Sequence, residues 1–119
     1  MLYDMTDNTV EEIKLFLDHY RKEGGVVIAF DQRKIFCEDF YALTGIRLCF
    51  NSSPLSVVET LCLALSVMYG YDDIIYMLGL SKPRILAHER RAKHKFQVSS
   101  KLQAVCMAVQ EHYIRIEDW

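Results

Sequence analysis

Apolar residues recur along the chain at helical spacing, then at strand spacing, and the change falls near residue 24. Val10, Ile13, Leu17 and Tyr20 stand three and four apart, so residues 6–23 predict an amphipathic helix. Thr9 and Glu12 have capping-box spacing near its start, and Gly24-Gly25 ends it. Gly25 to Phe30, GVVIAF, is a short β-branched run and predicts a buried strand. Asp31 to Lys34 is a polar turn. Ile35 to Leu43 predicts a short helix with Phe36, Phe40 and Leu43 inward, ending near Gly45. Ile46 to Phe50 predicts a second strand. Asn51-Ser52-Ser53-Pro54 is the clearest break in the chain.

Beyond that break the pattern predicts four helices, at 55–69, 71–78, 81–95 and 100–112. Gly79 separates the second and third. Ser81 is suited to cap the third, and Pro83 falls in its first turn, where a missing N–H is harmless. Two short helices joined by a tight glycine turn are the mark of a helix-turn-helix. Ser100 and Gln103 have capping-box spacing at the start of the fourth helix. Leu102, Val105, Val109 and Tyr113 then form an apolar stripe. The expected fold is therefore mainly α. A small α/β segment over 1–53 (helix, strand, helix, strand) precedes a helix-turn-helix domain over 54–119.

Composition supports a folded chain. Of 119 residues 51% are hydrophobic, with only 5 Gly and 2 Pro, which excludes a disordered or low-complexity protein. Met1 to Asp7 lacks the basic and apolar runs of a secretory leader. The longest apolar-rich stretch, Leu61 to Tyr71, is interrupted by Ser66 and Gly70, too short for a membrane span. These features predict a soluble, cytoplasmic protein with no membrane partner. Cys37, Cys49, Cys62 and Cys106 form no C-x-x-C pair and have mainly apolar neighbours. They read as reduced, buried thiols, with no metal site.

The net charge of −2 on its face argues against nucleic acid, but it is an average. Residues 1–60 carry −4 and residues 61–119 carry +2. Between 81 and 101, Lys82, Arg84, Arg90, Arg91, Lys93, Lys95 and Lys101 face only Glu89, a local +6. His88 and His94 are expected to add to it below neutral pH. On a helix, Ile85, Ala92 and Phe96 share one face. Arg84, His88, Arg91 and Lys95 form a stripe offset from it, with Arg90 beside them. A basic third helix in this frame suits phosphate contact, whereas a basic helix alone is ordinarily a solvated face.

The residues of this half also resemble the LuxR-type (GerE-like) helix-turn-helix family. Leu55-Ser56-x-x-Glu59 is similar to that family's L-[ST]-x-x-E. Ile74-x-x-x-Leu78-Gly79-Leu80-Ser81 is similar to I-A-x-x-L-x-[IVL]-S, and Ile85-x-x-His88 to V-x-x-H. Lys95-Phe96-x-Val98 resembles K-L-G-V, and Ser100-Lys101-x-Gln103-Ala104-Val105 resembles S-R-x-Q-A-V. The likeness spans about 55–113. It implies a bacterial transcription regulator whose third helix enters the major groove and whose fourth supports a homodimer. The resemblance places Arg90, Lys95 and Lys101 at DNA-contacting positions. With the basic stripe and Leu86, the expected DNA-binding residues are Arg84, Leu86, His88, Arg90, Arg91, Lys95 and Lys101, and the expected dimer residues are the apolar stripe Leu102, Val105, Val109 and Tyr113. The implied partner is double-stranded promoter DNA, with no cofactor. The chain departs from the family at Leu86, where Lys is common, at Gln97 for Gly, at Lys93, and in the short turn Gly70-Tyr71-Asp72-Asp73.

Those departures motivate a second expectation: a non-catalytic co-regulator or anti-activator that binds another regulator through a degenerate helix-turn-helix. A small enzyme built on a Cys–His dyad stays open as a third reading, but no catalytic constellation favours one. His88-Glu89-x-x-Ala92 lacks the second ligand of H-E-x-x-H, and Gly24-Gly25 is not followed by the Lys-Ser/Thr of a phosphate loop. The adjacent acid pairs Glu11-Glu12, Glu38-Asp39 and Asp72-Asp73 diverge rather than converge on a substrate.

Overall fold

A computed structural model describes residues 4–116, and side chains from Thr9 onward. The chain start on which the leader reading rests lies largely outside these. The order is α1 (Asp4–Asp18), β1 (Arg21–Lys22), β2 (Gly25–Val26), a 3-10 turn at Phe30–Gln32, and α2 (Arg33–Thr44). Then come β3 (Ile46–Leu48), α3 (Val57–Ser66), α4 (Tyr71–Leu78), α5 (Lys82–Phe96), α6 (Lys101–Gln110) and β4 (Ile114–Ile116). The protein is mainly helical.

The four C-terminal helices form where the pattern places them, and local chemistry explains why. Ser56 accepts from the Glu59 N–H at 3.1 Å while its own N–H donates to Glu59 Oε1 at 3.0 Å, closing a capping box on α3. Ser100 and Gln103 close a second box on α6. Ser81 occupies the N-cap of α5 but makes no side-chain capping bond there.

The N-terminal segment departs from expectation. The first helix is already running at Asp4, so Thr9 lies inside it rather than at its cap. It stops at Asp18, well before the glycines. Asp18 accepts from Lys14 at 2.8 Å and from the Arg21 guanidinium, which draws the chain into the β1–β2 hairpin. Glu23 and Gly24 form the hairpin turn, with Gly24 at φ +89° and Gly25, the first residue of β2, at +130°, a region that favours glycine. Only Gly25–Val26 of GVVIAF is strand. Val26 and Ile28 are buried, but Phe30 is 82% exposed at the start of the 3-10 turn.

The sequence pattern also misses β4. It pairs antiparallel with β3, Ile46 opposite Ile116, Arg47 opposite Arg115 and Leu48 opposite Ile114. Ile46, Leu48 and Ile114 point inward while both arginines stay out. Thus the two segments on either side of Asn51–Pro54 share one core, in which Ile13, Leu17, Phe36 and Phe40 join Leu61, Leu65, Met77, Leu78 and Ile85. The helix α1 lies on α4, and the Tyr76 hydroxyl of α4 donates to Glu11 of α1.

Candidate nucleic-acid interface

The turn between α4 and α5 fixes the direction of the basic helix. Gly79 adopts φ +67°, and its N–H donates to Ile75 O at 2.8 Å, ending α4. The Arg21 guanidinium donates to the carbonyls of Met77 and Leu78, at 3.3 Å for the former. A Cβ on residue 79 would collide with that guanidinium. Glycine is favoured here by the left-handed backbone, and a side chain would also displace the guanidinium from the α4 carbonyls. Through Arg21, the N-terminal hairpin braces the turn.

On α5, Ile85, Ala92 and Phe96 face the core as the spacing predicts, Phe96 only in part. Arg84, Leu86, Arg90 and Arg91 are exposed, and His88 is half-buried. Among the described residues, Arg84, Arg90 and Arg91 have no carboxylate partner. Arg90, Arg91, His94 and Lys95 border a shallow depression of about 290 Å³.

Two of the cations expected at the interface are engaged elsewhere. Lys95 Nζ donates to Glu59 Oε1 at 2.7 Å, the same oxygen that closes the α3 capping box. Glu59 is 3% exposed. Lys101 Nζ lies 3.8 Å from Glu89 Oε2, donates to the Tyr71 hydroxyl at 3.2 Å, and sits 4.4 Å from the centre of its ring. Tyr71 in turn donates to Glu89 Oε1 at 2.8 Å, and Lys82 approaches its ring to 5.0 Å. Lys95 and Lys101 thus neutralise buried acids that bind α5 to its neighbours. Glu59, Glu89 and Tyr71 are the residues that sequence reasoning missed. One signal was present: Glu89 falls on the Ile85–Ala92–Phe96 face at helical spacing.

His88 does not simply add charge. Burial lowers its pKa from 6.5, and the nearby Arg91 and Arg84 cations lower it further, against a smaller opposing pull from Glu59. Arg91 Nη1 lies 3.5 Å from its Nδ1. The imidazole is neutral near pH 7.

The expected dimer stripe is not one surface. Val105 is buried, and Val109 and Tyr113 pack against the core, Tyr113 parallel to Phe96 with ring centres 6.4 Å apart. Only Leu102, 72% exposed, faces solvent. The outer side of α6 is instead a groove of about 390 Å³ lined by Val98, Leu102, Gln103, Cys106, Met107 and Gln110, with no charged side chain among the described residues that line it. The stripe follows a helical period, but its inner members close the domain's own core. The cysteines likewise divide. Burial pushes the Cys62 thiol up to about 12 and the half-buried Cys37 up to about 11, whereas Cys49 and Cys106 are exposed.

Among the described residues, no group of three or more His, Cys, Asp or Glu side chains could hold a metal ion. Among them also, no helix is long and apolar enough to cross a membrane. No protein-family model, curated protein or solved structure matches the chain.

Proposed function

We propose that the protein is a DNA-binding transcription regulator of the helix-turn-helix type, acting without catalysis. One observation carries this reading. Arg84, Arg90 and Arg91 stand exposed, without carboxylate partners among the described residues, on the helix that follows the Gly79 turn. Such a helix lies in a major groove with its flanks against the backbone. Arg84 and Arg91 contact phosphates, and Arg90 contacts a phosphate or a guanine edge. Leu86 touches a thymine methyl. His88 accepts or donates one hydrogen bond. Lys95 and Lys101 act mainly by positioning α5, with their remaining charge directed to the backbone.

The protein binds as a homodimer through the outer side of α6. The described residues that line the groove around Leu102 and Cys106 carry no charge, which suits self-complementary contact between two copies of one patch. The resemblance of residues 55–113 to LuxR-type domains supports the same arrangement.

Fluorescence anisotropy with genomic promoter fragments at low salt tests the reading. Saturable binding whose affinity falls on raising salt is expected. If Arg90→Ala and Arg91→Ala leave affinity and salt slope unchanged, the reading fails. Retention of another regulator with no DNA affinity would favour the co-regulator instead, through the exposed Leu86.

A further inference from the structure

We propose that a second site, beside the N-terminal end of α2, binds a small aromatic phosphate: a flat ring joined to a phosphate ester, as in a mononucleotide. The cavity there measures about 420 Å³, within the range of small-molecule pockets. Its walls include Phe30, Arg33, Lys34, Arg47 and Phe50. It is built wholly from the N-terminal segment, away from the α5 cations.

Charge selects the anion. Arg33, Lys34 and Arg47 supply three cations to the lining, and among the described residues Glu38 is its one acid. Arg47 stands opposite Arg115 across the β3–β4 pair, a juxtaposition of like charges that repel. Arg33 and Lys34 occupy the first turn of α2, which contains no acid. Cations are disfavoured at that positive end of a helix dipole. A dianion relieves all three repulsions. A phosphate ester carries about −1.5 to −2 near pH 7 and so matches the surplus, which a carboxylate only half meets.

Arg33 and Phe30 set the orientation. Arg33 Nε is buried and hydrogen-bonds to nothing among the described residues. A buried donor without an acceptor is costly. The guanidinium carbon sits 5.7 Å from the centres of both the Phe30 and Phe50 rings, which hold it at the cavity wall. Arg47 is held likewise, 4.0 Å from the Tyr41 ring. Two pre-oriented guanidinium groups suit bidentate contact with phosphate oxygens. Phe30 is 82% exposed at the rim, and a flat ring laid on it removes both apolar faces from water. Glu38 offers that ring an acceptor for an amino group.

Calorimetry on the full chain with adenosine monophosphate, adenosine and inorganic phosphate tests the proposal. The monophosphate is expected to bind saturably, and each of its two halves at least about tenfold more weakly. Lys34→Gln and Arg47→Gln, both exposed positions whose circular dichroism should be unchanged, are each expected to weaken the monophosphate about tenfold. Phe30→Ala should weaken it several-fold while leaving inorganic phosphate unaffected. The proposal is overturned if adenosine or phosphate alone binds as tightly as the monophosphate, or if none binds at millimolar concentration. It is also overturned if Lys34→Gln and Arg47→Gln reduce duplex DNA affinity while the monophosphate shows no saturable heat, since those cations then serve DNA.

Discussion

Lys95 and Lys101 lie on the inner flank of the basic segment, each beside a nearly buried carboxylate, while Arg84, Arg90 and Arg91 stand on its outer face without such partners among the described residues. In sequence the two groups look alike, five cations within eighteen positions. In space they do different work. The inner pair offsets the burial of Glu59 and Glu89 and so ties α5 to α3 and α6. The outer three are available to a polyanion. A charge run therefore overstates an interface when some of its charge is already spent on the fold.

The widest separation between the flanks should come from Lys95→Ala. It leaves the Glu59 carboxylate buried with only its capping contacts, at a cost of about 2 kcal/mol. At this size that lowers the thermal midpoint by roughly 10 °C. Calorimetric or dichroism melting checks it. Adding Glu59→Gln should recover part of the loss, because the amide can keep the bond to the Ser56 N–H without a charge. If Lys95→Ala melts like the native protein, the inner flank is not structural.

Next in size are Arg90→Ala and Arg91→Ala. Each should leave the stability within about 0.5 kcal/mol of the native value. Each should weaken DNA binding about tenfold and flatten the salt slope by about one phosphate contact. Anisotropy titrations at several salt concentrations measure both. A loss of stability in place of a loss of affinity would merge the two flanks and end the distinction.

The unequal legibility of the two chain halves has the same origin as this distinction. Local chemistry wrote the C-terminal helices: Ser56 with Glu59, Ser100 with Gln103, and Gly79 at the turn are all contacts within a few residues, so spacing predicts them. The N-terminal segment is set by distant partners. The first helix ends where Arg21 reaches Asp18 and the α4 carbonyls, and β3 exists because β4, nearly seventy residues later, pairs with it. No window of sequence contains those contacts. The candidate site was half legible for the same reason. The exposure of Arg84, Arg90 and Arg91 follows from helical period, but the pairing of Lys95 with Glu59 crosses 36 positions.

Lys101 offers a milder version of the inner-flank test. Its ammonium is 3.8 Å from Glu89 and partly exposed, so screening reduces the pair's worth. Lys101→Met keeps the side-chain stem over Tyr71 and should cost at most about 1 kcal/mol. A urea unfolding midpoint is sensitive enough to read it. A cost equal to that of Lys95→Ala would show that the Tyr71–Glu89 bond depends on the ammonium rather than merely neighbouring it.

His88 lies between the two flanks, and its protonation should report on both with the smallest effect. In the folded chain its pKa is below 6.5, by burial first and then by Arg91 and Arg84. The unfolded chain therefore takes up a proton at a higher pH than the folded one. Stability contributed by the neutral imidazole is complete above about pH 7 and declines as pH falls through 6.5 toward the depressed value. His88→Gln should flatten that part of the urea midpoint between pH 7 and pH 5. A DNA phosphate beside the same ring favours the charged form and raises its pKa again. Binding should then take up a proton, so affinity at constant salt strengthens modestly from about pH 7.5 to 6 in the native protein and not in His88→Gln. An affinity independent of pH in both would place the phosphates away from His88, and would move the DNA contact toward the Arg90 side of the helix.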